Sequence, residues 1–173
     1  SLGAFAESLD GVGMDDAWIV LEYQLPLSSS RIDSMLLGTD TTRAKNAVLL
    51  EFKQWDGCVP SYVPEVVTVG GTDHLHPSAQ VLSYQRYLAD THEAFSDGHV
   101  GLASCSYLHN VKSTPSSCFW DSRYSDLLVK APAFCVETVD ELAQFAGERT
   151  RFGAPEPLVE AVLRGRYRPS KAL

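Results

Sequence analysis

Glu51 and Lys53 stand two residues apart at the end of an apolar run, Ala47-Val-Leu-Leu-Glu-Phe-Lys-Gln-Trp55. Such runs, bounded by polar turns, read as buried central strands. Side chains on a strand alternate faces, so this carboxylate and this ammonium point the same way. A buried charge is costly unless it is paired or holds a metal. An ordinary ion pair is one reason for the two charges, and a metal-and-water site is the other. Asp33 lies on the strand expected before this one. If the two strands are paired neighbours, Asp33 and Glu51 converge on one cation. Mg2+ takes one or two carboxylates together with waters and phosphate oxygens. A bound metal lowers the pKa of its water and stabilises charge building on a phosphoryl group. Lys53 would orient the attacking water or neutralise the pentavalent phosphate. Gln80, on the helix expected next, would position that lysine or the water. Tyr84, one turn further, would face the same cleft.

Periodicity predicts the elements that position these groups. Residues 1–9 carry apolar side chains near helical spacing, and residues 10–16 break that pattern with glycines. Residues 18–25 read as a strand stopped by Pro26, with Glu22 on the face of Trp18, Val20 and Gln24. A turn at 27–30 leads to a second strand at 31–37, ended by Gly38, and a polar hairpin loop at 39–46 precedes the central strand. Sequential strands with short links predict an antiparallel meander. Residues 56–73 are irregular, with a strand at 65–69, and a long loop after a charged strand end often carries function. His76-Pro77-Ser78 opens a helix to about Phe95, proline suiting the first turn. Gln80, Tyr84, Tyr87 and Leu88 share one face of it. Gly98 closes the link to a strand at 100–108, which His109-Asn110 ends. Residues 111–125 read as loop and 127–129 as a short strand before Pro132. Thr138-Val139-Asp140-Glu141 has a capping-box pattern and opens a helix to about Glu148. A second helix at 157–164 is closed by Gly165. The order β-β-β-α-β predicts an α/β core over residues 1–130, with residues 131–173 as C-terminal helices.

With 173 residues, 45% of them apolar and 21% charged, the composition is globular and long enough for one domain with its own core. The net charge of −8 argues against passive coating of nucleic acid, since such binders are usually basic. It leaves room for an enzyme whose acids hold a divalent metal. No apolar run reaches the length of a membrane span, so no membrane partner is expected. Cys58, Cys105, Cys118 and Cys135 include no Cys-x-x-Cys pair, so no zinc or iron–sulfur cluster is expected. Four separate cysteines without a basic-then-apolar leader suggest reduced thiols and a cytoplasmic setting. The expectation is a module cut from something longer.

Asp33, then Glu51-Phe52-Lys53, then Gln80-x-x-x-Tyr84 resembles the PD-(D/E)xK nuclease pattern in its RecB-type form. In that form the Gln-x-x-x-Tyr helix follows the catalytic strand. The resemblance covers about residues 18–110. It implies a restriction-endonuclease-like core, a β-β-β-α-β mixed sheet flanked by helices, here with extra C-terminal helices. A closer similarity is carried by Glu22-Tyr23-Gln24-Leu25-Pro26, Arg31-Ile32-Asp33, Glu51-Phe52-Lys53-Gln54-Trp55, His76-Pro77-Ser78-Ala79-Gln80-Val81, Tyr107-Leu108-His109-Asn110 and Pro169-Ser170-Lys171. These phrases look like the nuclease-like segment that precedes a Schlafen-group-three DNA/RNA helicase domain in one bacterial family. The resemblance implies a hydrolase acting on phosphodiester bonds, in DNA before RNA. It further implies a downstream helicase domain in the same protein and a setting in DNA processing or antiviral defence. Its cofactor would be Mg2+ or Mn2+, held by Asp33, Glu51 and the Phe52 backbone carbonyl. Lys53 would be the catalytic lysine and Gln80 the supporting glutamine. Glu22 is the candidate for a further ligand and Tyr84 for a substrate contact. Many nucleases of this fold act as dimers, so a homodimer is a further candidate partner. Three departures stand out. RecB-type nucleases often have Asp where this chain has Glu51. Their iron–sulfur subgroup needs four clustered cysteines. The upstream acid of that fold comes mostly from a helix, whereas Glu22 reads as strand.

Plainer readings stand beside these. Asp33, Glu51 and Lys53 also suit a structural ion-pair network, or a site that has lost its activity. Gln80 and Tyr84 also suit a helix face packed on a sheet, and Glu22 a strand-surface carboxylate. His74-x-His76 reads more simply as structural than as a metal pair. Trp18 and Trp55 read as core or rim, the Tyr107–Asn110 turn as a strand-end device, and the basic tail from Arg164 as a solvated linker. The rival function is an inactive nuclease-like module that docks nucleic acid or the helicase domain.

Overall fold

Three short-linked apolar runs at the start of the chain form an antiparallel meander: β1 (Trp18–Gln24), β2 (Arg31–Thr39) and β3 (Lys45–Lys53). In the computed structural model, which describes residues 17–26, 28–112 and 117–168, these strands belong to a mixed five-stranded sheet flanked by helices. The fold class is α/β. The β2–β3 link is tightened by Asp40, whose carboxylate accepts from the amides of Thr42 and Ala44, a side-chain imitation of a backbone turn.

The chain then leaves the sheet. β4 (Val59–Pro60), β5 (Val66–Val69) and β6 (Thr72–Leu75) make a small antiparallel sheet. The helices α1 (Pro77–Thr91) and α2 (Glu93–Ser96) lead back to β7 (Gly101–Leu108), which pairs in parallel with β3. After α3 (Ser125–Lys130), β8 (Ala133–Cys135) adds in parallel to β7, giving the order β1-β2-β3-β7-β8. Two helices follow, α4 (Val139–Thr150) and α5 (Glu156–Arg164).

Strand alternation sorts the core into two layers. Met35, Leu37, Ala47 and Leu49 pack against Val81, Leu82 and Leu88 of α1 and Leu158 and Val162 of α5. On the other face Leu36, Val48, Leu50, Cys105 and Tyr107 pack against Leu142 and Ala146 of α4. A third cluster, with Val67, Leu108, Val111, Phe119 and Tyr124, sits under the small sheet.

Several expectations need correction. The segment 127–129, read as a strand, is the middle of α3. An apolar run of three residues carries no period of its own, and Asp126 and Lys130 suit the two ends of a helix dipole. The sheet's outer position is taken by β8, which was not read at all. The helix from Pro77 does not run on to Phe95; it stops at Thr91, and His92 is extended (φ −91°, ψ 127°) before α2 restarts. Thr138 stands at the N-cap position of α4, but its side chain makes no capping bond there. Its hydroxyl instead accepts from the Cys135 amide at 2.9 Å. The four cysteines are not all free: Cys58 and Cys118 form a disulfide with Cα atoms 5.6 Å apart, leaving Cys105 and Cys135 as buried thiols. That pairing joins residues 60 apart in sequence, so only the packing of β4 against the 3-10 turn Cys118–Trp120 reveals it. β8 and α4, both beyond residue 130, belong to the sheet and to the layer that covers it. The helix expected at residues 1–9 and the Pro169-Ser170-Lys171 phrase lie outside the described residues. Among the described residues no helix is long and apolar enough to cross a membrane.

Candidate functional site

The site forms where the β2–β3 ladder stops. Its last backbone pair is Ser34–Leu50, and one step further lie Asp33 and Glu51. There the Phe52 amide donates to Asp33 Oδ2 at 2.8 Å. A side chain has replaced the neighbouring backbone as acceptor, so the pairing gives way to two carboxylates on one face. Glu51 is 3% exposed and Asp33 half-buried. Lys53, two residues along β3 on the same face, donates from Nζ to Glu51 Oε1 at 2.6 Å. Gln80, near the start of α1, donates from Nε2 to the same oxygen at 2.7 Å. The other Nε2 proton goes to the Tyr84 hydroxyl at 2.8 Å, the i, i+4 neighbour on the helix. Glu51 Oε1 is thus saturated with donors, while Glu51 Oε2 is buried and has no partner.

These contacts set the electrostatics. Burial pushes the Glu51 carboxyl up to about 7, opposed by the Lys53 charge and helped by Asp33. Burial also raises the Tyr84 phenol, so it stays neutral. The lysine is held from below as well: its Nζ lies 5.2 Å over the Trp55 ring, a cation–π contact. Trp55 stacks on Phe119 with ring centroids 6.1 Å apart and planes at 14°.

α1 is aimed by its cap. His76 is fully buried. Its Nδ1 accepts from the Ser78 amide at 3.1 Å, so its proton sits on Nε2, which donates to the Phe119 carbonyl at 3.0 Å. Burial depresses this imidazole to about 4. The histidine therefore works as a neutral N-cap, and Pro77 fills the first helical position, where no amide is needed.

Of the residues singled out in the sequence, Asp33, Glu51, Lys53, Gln80 and Tyr84 come together. Phe52 contributes its amide to Asp33. Glu22 stands apart: it is exposed, adopts φ 54°, and turns its carboxylate to Arg31 at 3.2 Å. His74 tilts against Trp55 at 5.2 Å, whereas His76 is a helix cap, so the two do not share a ligand position. The Tyr107–Asn110 turn ties off the strand end, His109 amide to Lys53 carbonyl at 3.2 Å and Asn110 Nδ2 to Gln54 carbonyl at 2.9 Å. Trp18 lies half-exposed at the rim near α5. Sequence reasoning missed Trp55 and Phe119 as the floor under Lys53. The parity of Trp55 with Lys53 was the available signal, while Phe119 lies in a stretch read as loop.

Among the described residues no group of three or more His, Cys, Asp or Glu side chains could hold a metal ion. Any cation here would rest on the carboxylates of Asp33 and Glu51, completed by backbone oxygen and water. Comparison with protein-family models, with characterised proteins and with solved structures finds no match to this chain. What the site can do rests on its own chemistry.

Proposed function

We propose that this chain is a metal-dependent nuclease module that hydrolyses phosphodiester bonds, with a PD-(D/E)xK-like core. The observation that carries this reading is the buried, unpartnered Oε2 of Glu51 beside Asp33, on the same strand face as Lys53. An orphaned buried carboxylate oxygen is expensive. The donor set is all oxygen, which suits the hard cations Mg2+ and Mn2+, and a small carboxylate count leaves room for water and phosphate oxygens. Asp33 and Glu51 would hold the cation, with the Phe52 carbonyl as the third ligand that the family resemblance implies. When bound, it would supply charge stabilisation at the phosphoryl group and a more acidic water. Gln80 fixes the Glu51 carboxylate through Oε1. Lys53, on its aromatic floor, presents an ammonium to the phosphate or to the attacking water. The strand order β-β-β-α-β, with the helix that carries Gln80 after the strand that carries Lys53, supports the resemblance. DNA is the proposed substrate before RNA, and a helicase domain following this module is the proposed partner.

The rival reading is a docking module without hydrolysis; the net charge of −8 favours it in the form that docks the helicase domain rather than nucleic acid. Labelled single- and double-stranded DNA and RNA, incubated with Mg2+, Mn2+ or EDTA, separate the two. Metal-dependent cleavage is expected, falling on the order of 100-fold or more in Lys53→Ala with its fold intact. Metal binding without cleavage would favour docking, and neither metal binding nor cleavage would reject the nuclease reading.

A further inference from the structure

Cys58 follows Trp55 by three residues, and Cys118 immediately precedes Phe119. Their disulfide therefore ties together the two backbones that carry the stacked pair under Lys53. The same turn supplies the Phe119 carbonyl that receives the His76 ring proton, and His76 caps the helix that presents Gln80. One covalent bond thus stands at the root of two supports of the candidate site, the floor of Lys53 and the aim of α1.

Beside the bond, the Cys58 side is held by the short β4–β5 ladder and by single contacts at its ends, Asn110 on the Gln54 carbonyl and Arg123 on the Ser61 carbonyl. Asp56, Gly57 and Val59 are exposed, and β4 is only two residues long. Neither disulfide cysteine belongs to the two layers that cover the main sheet; both sit with the third cluster, Cys118 within it and Cys58 against it. A groove of about 470 Å3 opens onto the bond, lined by Asp56, Cys58, Asn110, Lys112 and Cys118. Cys118 is 8% exposed and Cys58 more so, which makes the Cys58 sulfur the point of entry. The remaining thiols differ. Cys105 and Cys135 are buried, and burial pushes the Cys105 thiol up, away from the reactive thiolate.

We propose that the Cys58–Cys118 disulfide is a reversible redox switch, opened by a dithiol reductant, that sets the order of the Trp55–Phe119–His76 layer. One thiolate of the reductant attacks Cys58 Sγ, forming a mixed disulfide and releasing Cys118 as a thiolate that takes up a proton. The second thiol of the reductant then displaces Cys58, which is also protonated. The reductant leaves as its own disulfide, so two electrons and two protons have passed to the pair. Opening the bond frees the 54–60 segment from the Cys118–Trp120 turn, while the sheet and its two covering layers stay folded, a local rather than global opening.

The inference concerns the layer and does not require hydrolysis, so its test reads structure. Amide hydrogen exchange is measured on the oxidised chain, after dithiothreitol, after re-oxidation, and on Cys58→Ser without reductant. The Ser78 amide, bonded to His76, and the Trp120 amide, bonded to the Ser117 carbonyl, are the reporters. Reduction should speed exchange at both by about tenfold or more, leave Leu36 and Val48 protected, and be reversed on re-oxidation. Cys58→Ser should match the reduced form, and thiol titration should find two more thiols per reduced chain. Unchanged exchange at Ser78 and Trp120 on reduction would overturn the proposal. So would loss of protection across the whole sheet, which would make the bond a staple of the entire fold, or failure of the pair to re-form.

Discussion

Glu51 has one carboxylate oxygen that accepts two donors and one that accepts none. The consequence for stability has a definite sign. Its pKa rises from an ordinary 4.5 to about 7, so the fold favours the protonated acid. That contribution is fully present below about pH 4.5 and is lost as pH rises through about 7. In metal-free protein, Glu51→Gln should therefore raise the melting temperature at pH 8 and not at pH 4.5. The gain is on the order of 1 kcal/mol, a few degrees, because the new amide leaves a buried donor unpaired. Paired thermal melts at the two pH values check it, and a loss of stability at pH 8 would show that Oε2 is satisfied in solution. The same substitution should abolish metal-dependent cleavage. Much of this corner was legible in the sequence. Strand parity put Glu51 and Lys53 on one face, and helical spacing put Gln80 with Tyr84. For Glu22 the plainer reading holds: it is an exposed strand carboxylate paired with Arg31; its positive φ was not legible.

Elements were legible where their period is long. β1 to β3, β7, α1, α4 and α5 all carry several residues of strand or helical pattern, and β5, four residues long, was legible from its β-branched composition. β4, β6, β8 and α3 are two to six residues long, and such runs depend on neighbours for their state. The break at His92 was hidden because its cause is tertiary. His92 Nδ1 accepts from the Ala94 amide and Nε2 donates to the Val162 carbonyl, a repeat of the arrangement at His76. Gly38 shows the same limit. Read as the end of a strand, it lies inside β2, where a Cβ would meet the carbonyl oxygens of Phe152 and Thr150 at 2.7 Å. Thr39 exchanges two backbone hydrogen bonds with Phe152 beside it, so the α4–α5 link is stitched onto the sheet there. Gly38→Ala should cost about 1–3 kcal/mol through this overpacking. Urea unfolding measures the cost, and an unchanged midpoint would mean that the link yields freely.

For the whole molecule, the two histidine caps set the acid side of the stability curve. Both imidazoles are buried and depressed by that burial, His76 from 6.5 to about 4. A depressed histidine binds fewer protons folded than unfolded, so stability rises with pH across this interval. The full contribution is present above about pH 6.5 and is lost as pH falls to about 4. For His76 alone the loss is about 3 kcal/mol. His76→Asn keeps an N-cap acceptor but cannot take up a proton, so its stability should fall less between pH 6.5 and 4 than that of the native chain. Equal slopes in urea titrations across that range would show that His76 does not carry the acid limb. At this scale the class of fold was readable from element order, and the disulfide was not, since no spacing rule joins Cys58 to Cys118.

The parallel seam between β3 and β7 has a consequence in time. β2 meets β3 through a short hairpin, whereas Asn46 of β3 must wait for Gly101 of β7. Loop closure grows more costly with the length of chain enclosed, and pairings distant in sequence are slow. Asp33 and Glu51 are therefore brought side by side by the cheapest contact in the sheet. Gln80, which relieves Glu51, arrives only with the long crossover. Lys53, two residues along the same strand, comes with the hairpin and offsets the charge locally, so the crossover adds only the second donor to Glu51 Oε1.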